Sequence, residues 1–482
     1  MEIVPAAGEA ERLGTELLVL GIFRDGPLTG SARAVNDRSS GRLAALLGRV
    51  DLGEEAGTAH VAGPLPGIAA QRLLLIGLGR AERFSDRAYR QALTAAARAL
   101  DGSAATEAVV TLAENEVPRR TLGWRMCQAG QILADGRHDF GLPGRRMRTG
   151  MRSLMLLVPR TLTSELVAAL RQGVAIGEGV SFAKELGDLP PDLCTPAFVV
   201  RMAQAMAGQF RFQLDVLEQP AFQRARPARD EASLGKLIVM RRERRKRNDR
   251  PIVLISDDAV ARDMPPARGR AGPGRPVRDM RGIGSVFGAM RAVERLGLAV
   301  NVVGLVAVSG REGTPCAIEP RVPLPADGLQ PALRGASPLG DLLRYAAQFS
   351  PSCVIDVAAL SRAGMLALGS RASGLFANDE ALASELLKCG GASGDRVWQL
   401  PLWDANAEAF PEAGPDAGLA EDGTDAGFAA VTSLARDAAA YPWAHLDISG
   451  TASTLGALRS STGRPVPLLA EFLIGRAQMT LN

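Results

Sequence analysis

Unbroken apolar runs, more than alternating ones, set the rhythm of this chain. Toward the N-terminus, the stretches Glu16 to Phe23, Arg72 to Gly79, Ala108 to Leu112 and Arg152 to Val158 read as strands, with a helical pattern from Ala88 to Leu100 among them. Strands interleaved with helices imply an α/β layer fold. A helix from about Ser164 to Glu185 comes next and stops before Leu189-Pro-Pro-Asp192, because two prolines cannot continue it. A second series then follows, with strands at Phe212 to Val216, Gly235 to Met240, Pro251 to Ile255, Val300 to Val308 and Cys353 to Leu360. Helices are expected at Ser285 to Leu296 and Pro338 to Gln348. Val/Ile/Leu runs without alternation are what central strands covered on both faces require. The pattern divides the chain into an α/β domain over 1–163, a connecting helix and Pro-rich turn over 164–195, and a larger α/β domain over 196–482.

Length supports that division, since 482 residues exceed what one hydrophobic core usually holds and 46% hydrophobic content is ample for two. The start, Met1-Glu-Ile-Val-Pro-Ala-Ala-Gly-Glu, is acidic and has no basic segment followed by an apolar one, which argues against export. The apolar run Leu296 to Val308 is too short to span a bilayer and carries Asn301, so it reads as a buried strand and no membrane partner is expected. Five scattered cysteines without a CxxC pair fit a reducing cytoplasm and give no thiolate zinc site. The Gly77-Leu-Gly79 turn lacks a third glycine and an acidic ribose partner, so it is a strand-to-helix turn and not a dinucleotide site.

A net charge of +4 is mild for this size and permits a polyanion partner without indicating one. The most basic segment is Arg241-Arg-Glu-Arg-Arg-Lys-Arg-Asn-Asp-Arg250. Arg241, Arg242, Arg244 and Arg245 are its candidate phosphate contacts, as arginine clusters bind phosphate through charge-assisted hydrogen bonds. The competing reading, which the interspersed acids and missing aromatics favour, is a solvated hairpin loop between strands 236–240 and 251–255.

Several blocks carry a specific resemblance: Val35 to Leu47, Leu73 to Glu82, Leu189-Pro-Pro-Asp-Leu-Cys-Thr-Pro196, Gly369-Ser-Arg-Ala-Ser-Gly-Leu-Phe-Ala-Asn-Asp379, Gly394 to Asp404, Tyr441-Pro-Trp-Ala-His-Leu-Asp-Ile-Ser-Gly-Thr451 and Thr462 to Leu469. Together, in this order, they resemble the leucyl (cytosol) aminopeptidase family over nearly the whole chain. The resemblance implies a small N-terminal, macro-like α/β domain and a larger C-terminal α/β aminopeptidase domain with a mixed, mainly parallel central sheet. It also implies a hexamer and a site for two Mn or Zn ions.

The residues that should build that site are largely replaced. After the strand ending at Ile255, the family's first lysine falls on Asp257, its first aspartate on Arg262, and its electrophilic lysine on Arg268 or Gly269. Register returns at Asp279, which matches a metal ligand of the family. In the signature stretch, here Gln330-Pro-Ala-Leu-Arg-Gly-Ala-Ser337, only Gly335 is kept. The aspartate ligand has become Ala332, the bridging glutamate Arg334, and the arginine that holds a catalytic anion Ala336. A paired metal site needs several hard oxygen ligands around two dications about 3.5–4 Å apart. One aspartate cannot supply them, so no catalytic residue and no cofactor are expected. Arginines would instead stand where metals should, with Asp279 and Asp257 or Asp263 pairing with Arg334 and Arg262.

No other catalyst fills the gap: there is no GxSxG elbow, the cysteines lack a base partner, and His60, His138 and His445 do not cluster in sequence. His445 and Asp356 read as structural. The leading expectation is therefore a pseudo-aminopeptidase, a structural or regulatory subunit in a hexamer with itself or an active paralogue, whose cleft retains affinity for peptides. The alternatives are an active aminopeptidase with displaced ligands Asp257, Asp258, Asp263 and Glu312 binding two Mn or Zn ions, and a DNA-binding accessory protein.

Overall fold

A computed structural model describes residues 1–135, 150–158, 161–190, 193–210, 212–218, 235–243, 249–258, 260–261, 277–308, 338–360, 367–402, 424–454 and 460–479. It forms two compact units, Met1–Glu178 and Gly179–Asn482, whose boundary falls inside the long helix between them.

In the first unit the apolar runs become β1 (Glu2–Ala7), β2 (Leu17–Ile22), β3 (Ala56–Ala62), β4 (Leu73–Leu78), β5 (Glu107–Val110) and β6 (Ser153–Val158). Their order is β1-β6-β5-β2-β4-β3. All neighbours are parallel except the edge strand β3, which runs against β4. Every residue of β2 and β4 is buried, the physical reason their sequences do not alternate. Helices α1 (Gly30–Arg38), α2 (Arg42–Leu47), α3 (Asp86–Asp101) and α4 (Leu122–Ala134) belong to this unit. Leu74, Ile76 and Val110 pack on one side with Tyr89, Leu93, Met126 and Leu133, while Leu18, Leu20, Leu73 and Leu75 pack on the other with Val35 and Leu43. The sheet is thus a central layer between two apolar layers.

Helix α5 (Ser164–Gly187) ends just before the double proline, as the sequence predicts. In the second unit follow α6 (Pro196–Phe210), β7 (Gln213–Glu218), β8 (Lys236–Arg242), β9 (Ile252–Asp257), the short pair β10 (Val260–Ala261) and β11 (Val277–Arg278), α7 (Arg281–Arg295), β12 (Val302–Val308), α8 (Pro338–Ala346) and β13 (Cys353–Ala358). The unit closes with β14 (Ser373–Ala377), α9 (Glu380–Ser393), β15 (Val397–Gln399), α10 (Thr424–Asp437), β16 (Trp443–Asp447) and α11 (Val466–Met479). The large sheet has the order β15-β14-β16-β13-β9-β12-β8-β7. Its centre, β16-β13-β9-β12, is parallel, and antiparallel strands lie toward both edges. This is the mixed, mainly parallel sheet expected.

The run from Leu296 starts at the C-cap of α7 and continues into the fully buried β12, with Asn301 between them donating its side-chain amide to the Asp249 carbonyl at 3.0 Å. Among the described residues no helix is long and apolar enough to cross a membrane.

One expectation is overturned. Strands β8 and β9 do not form a hairpin, because β12 lies between them, antiparallel to β8 and parallel to β9. Continuous apolar strands can pair with any partner of like pattern, and proximity in sequence misled here.

Candidate functional site

Parallel strands bring all their C-terminal ends to one sheet edge, where open α/β sheets place their ligand crevices. In the second unit that edge is where β9 ends at Asp257, β12 at Val308, β13 at Ala358 and β16 at Asp447.

Register makes the site legible. Ile255, Asp356, His445 and Phe376 are successive partners across β9, β13, β16 and β14, so they share a face. Asp257 and Asp447 lie two residues further toward the edge on that face. Asp356 and His445 are completely buried, and Asp447 and Asp257 nearly so. The Asp356 carboxylate would be costly there without partners, and it has two: the Trp443 indole N–H donates to Oδ2 at 2.6 Å, and His445 Nδ1 bonds Oδ1. Burial works against a charged imidazole, but the charge and hydrogen bond of Asp356, with Asp447 and Asp257 beyond, outweigh it and hold the His445 pKa above its ordinary value. Asp257 moves the other way for an acid: burial, then the charges of Asp258 and Asp356, push its pKa up to about 7. Among the described residues neither Asp257 Oδ1 nor His445 Nε2 has a hydrogen-bond partner.

An Asp–His pair can orient a base for a nucleophile. Here the imidazole is fully buried and no hydroxyl or thiol of the described residues bonds its free nitrogen, so the pair works as a structural cross-tie between β13 and β16.

Asp279 sits at the mouth of α7. Its Oδ1 accepts the Arg281 backbone N–H at 3.0 Å and pairs with the Arg281 guanidinium at 3.1 Å, with both side chains largely buried. The helix is pressed against the sheet here: a side chain at Gly282 would meet the Val357 carbonyl at 2.7 Å and collide with the Ser256 hydroxyl. Arg281 was not singled out from the sequence, although an aspartate accepting from the N–H two residues on is a recognisable local turn. Arg262, Asp263, Arg268, Gly269, Glu312, Ala332, Arg334 and Ala336, and with them the pairing of Asp279 to Arg334 or Arg262, lie outside the described residues.

Two dications require ionised oxygen donors with lone pairs to give. Of the described candidates, Asp279 is engaged by Arg281, Asp257 holds its proton up to neutral pH, and Asp258 is buried with its charge acting on Asp257. Among the described residues no group of three or more His, Cys, Asp or Glu side chains is placed to hold a metal ion.

The basic segment is corrected in part. Arg242 is a core residue: it pairs with Glu294 of α7 and donates Nη1 to the carbonyls of Leu298 at 2.6 Å and Val300 at 2.9 Å, so it is closed to any polyanion. Arg241 pairs with Asp215 of β7, and Arg244 and Arg245 lie outside the described residues. Strand alternation explains the error, since a charged run that continues a strand must send every second residue inward.

Comparison with known proteins gives two family matches. The N-terminal domain of the cytosol aminopeptidase family matches residues 19–141, and its catalytic domain matches residues 335–470. A "Probable cytosol aminopeptidase" of Azoarcus sp. (strain BH72) is 40% identical, covering 99% of both chains. Another of that name from Aromatoleum aromaticum is 38% identical over the same shares. Among solved structures, a tomato leucine aminopeptidase mutant superposes with a TM-score of 0.76 at 20% identity, covering 98% of this chain and 96% of its own. The bottromycin maturation enzyme BotP gives 0.73 at 20% identity, covering 96% and 100%.

Proposed function

Because this chain belongs to the cytosol aminopeptidase family, we propose that it is a catalytically silent member, a structural or regulatory subunit that keeps the family's fold without its hydrolytic centre. The observation that carries this reading is the replacement of the family's chemical residues at Asp257, Arg262, Arg268 or Gly269, Ala332, Arg334 and Ala336, with Asp279 alone retained. Engagement of Asp279 by Arg281 supports it, because the one remaining ligand is already satisfied by a cation of the chain. So does the raised pKa of Asp257, since a carboxyl that keeps its proton near neutral pH is a poor ligand for a hard dication. The cytoplasm is the compartment this reading assigns, and a hexamer, of this chain alone or mixed with an active paralogue, is the assembly; a peptide could bind there without turnover.

A second reading is an active aminopeptidase whose ligands are displaced to other acids, and what favours it is the names of the relatives at 40% and 38% identity. Elemental analysis after incubation with excess manganese and zinc, with leucine p-nitroanilide hydrolysis measured on the same sample, separates the two. The silent reading expects less than stoichiometric metal and no turnover from a folded protein. Two bound metals per chain with turnover would overturn it.

A further inference from the structure

Outside the candidate site, the N-terminal unit contains a second concentration of chemistry. Residues Glu116 to Leu122 and Arg125 line an open cleft of about 700 Å³. Three of the lining side chains are arginines and one is an acid, Glu116, and all of them sit at the N-terminus of α4. A helix N-terminus already carries partial positive charge, and acids normally occupy its first turn. The first turn of α4 has none. Thr121 Oγ accepts the Trp124 N–H at 3.2 Å, whereas the N–H groups of Leu122 and Gly123 find no acceptor among the described residues.

Arg125 is the decisive member. It is 8% exposed yet lines the cleft, and its Nε, sealed from solvent, has no hydrogen-bond partner among the described residues. Its Nη1 donates to the Glu114 carbonyl at 3.1 Å, and its own carbonyl accepts the hydroxyl of the fully buried Tyr89 at 3.0 Å, so its place is fixed. The nearby Glu114 carboxylate does not neutralise it, being held by Ser31 through N–H at 2.9 Å and Oγ at 2.8 Å. Arg120 is satisfied by Asp86 at 2.5 Å and lies 4.7 Å from the centre of the Trp124 ring. Arg119 is exposed and occupies the third position of the turn Val117-Pro-Arg-Arg120, closed by the Arg120 N–H to the Val117 carbonyl at 3.1 Å. Its φ of 63° is left-handed, a conformation glycine takes freely and an arginine does not. The Arg125 guanidinium, a strained arginine and the free amide of Leu122 line one cleft, with more positive charge than Glu116 can balance.

We propose that this cleft binds the phosphate group of a small phosphorylated molecule, with Arg119, Arg125 and the Leu122 amide as its donors. Guanidinium forks match phosphate oxygens in geometry, and a helix N-terminus suits the same anion. The volume exceeds that of phosphate alone, which leaves room for the body of the molecule that carries it.

The test uses the full-length protein with inorganic phosphate and with AMP as probes at fixed ionic strength. Phosphorus NMR line broadening gives the affinity, and thermal unfolding in phosphate against chloride gives a second reading. Saturable phosphate binding, weakened about tenfold or more in Arg119→Ser, is the expected result. Arg119 lies on an exposed turn, so its loss leaves the packing intact. Arg125→Gln is expected to weaken binding similarly while folding normally by circular dichroism; should it misfold, Arg119→Ser decides. AMP binding tighter than phosphate confirms that the ligand carries its phosphate on a larger body, and AMP no tighter than phosphate overturns that part. No saturable binding, or equal binding in Arg119→Ser and the parent protein, overturns the site.

Discussion

The buried pair of Arg242 and Glu294 offers the sharpest test of how the second unit is held together. The two side chains are 2% and 7% exposed, and the guanidinium makes two further bonds to the carbonyls of Leu298 and Val300. It therefore ties β8 to the end of α7 and to the segment entering β12. Removing one partner strands a charge that cannot reach water, and such single losses cost about 3–5 kcal/mol. Glu294→Gln keeps the shape and removes only the negative charge, so it isolates that penalty. With a urea dependence near or above the upper end of the usual 1–3 kcal/mol per molar range, the midpoint should fall by roughly 1–1.5 M. Arg242→Met should cost as much, because it also leaves two carbonyls without a donor. The double variant Arg242→Met/Glu294→Met should recover at least half of the summed loss, since no stranded charge remains. Urea unfolding followed by far-ultraviolet circular dichroism at fixed pH measures all three. Single variants within about 0.5 kcal/mol of the parent would refute the argument, because that is the value of a solvated pair.

Two further outcomes follow from the same packing. Asp257 has a folded pKa of about 7 against an ordinary value of 3.8, so the folded state binds the extra proton between those pH values and stability falls as pH rises from about 4 through 7. The full loss is roughly 4 kcal/mol, and Asp257→Asn should flatten urea midpoints measured across that window; an unchanged slope would show that the carboxyl is not the group responsible. Gly173→Ala should destabilise the N-terminal unit by about 1–3 kcal/mol, because a side chain there runs into the Cys127 carbonyl of α4, and a neutral thermal scan would show that the two helices can part without cost.

How much of this was legible in the sequence depended on whether the signal was local. Strands β2 and β4 announced themselves because both faces are buried and no polar residue interrupts them. Helix α5 was bounded by the double proline, a local steric fact. By contrast, the neighbour of β8 is decided by pairing over a long separation, and the sequence pattern of β12 fits either side of β9 equally well. The Asp356–His445 bond joins residues 89 positions apart, and nothing in their spacing reveals it. Arg242 was misread because it belongs to a run of charges, although its position in the strand alternation pointed inward. The family resemblance matched Asp279 to a metal-ligand position of the family, yet its pairing with Arg281 needed coordinates.

The sheet edge where β9, β12, β13 and β16 end also marks where this protein can be cut and rejoined. In sequence, residues 258–276 separate the end of β9 from β11, and residues 309–337 separate the end of β12 from α8. The family's chemical positions that have been replaced after Asp257 all fall in those two intervals, while the strands and helices that bury the apolar side chains lie outside them. Transplanting both intervals together from an active relative leaves the residues of the described core unsubstituted, which makes this chain a host in which the residues sufficient for hydrolysis can be assembled stepwise and counted.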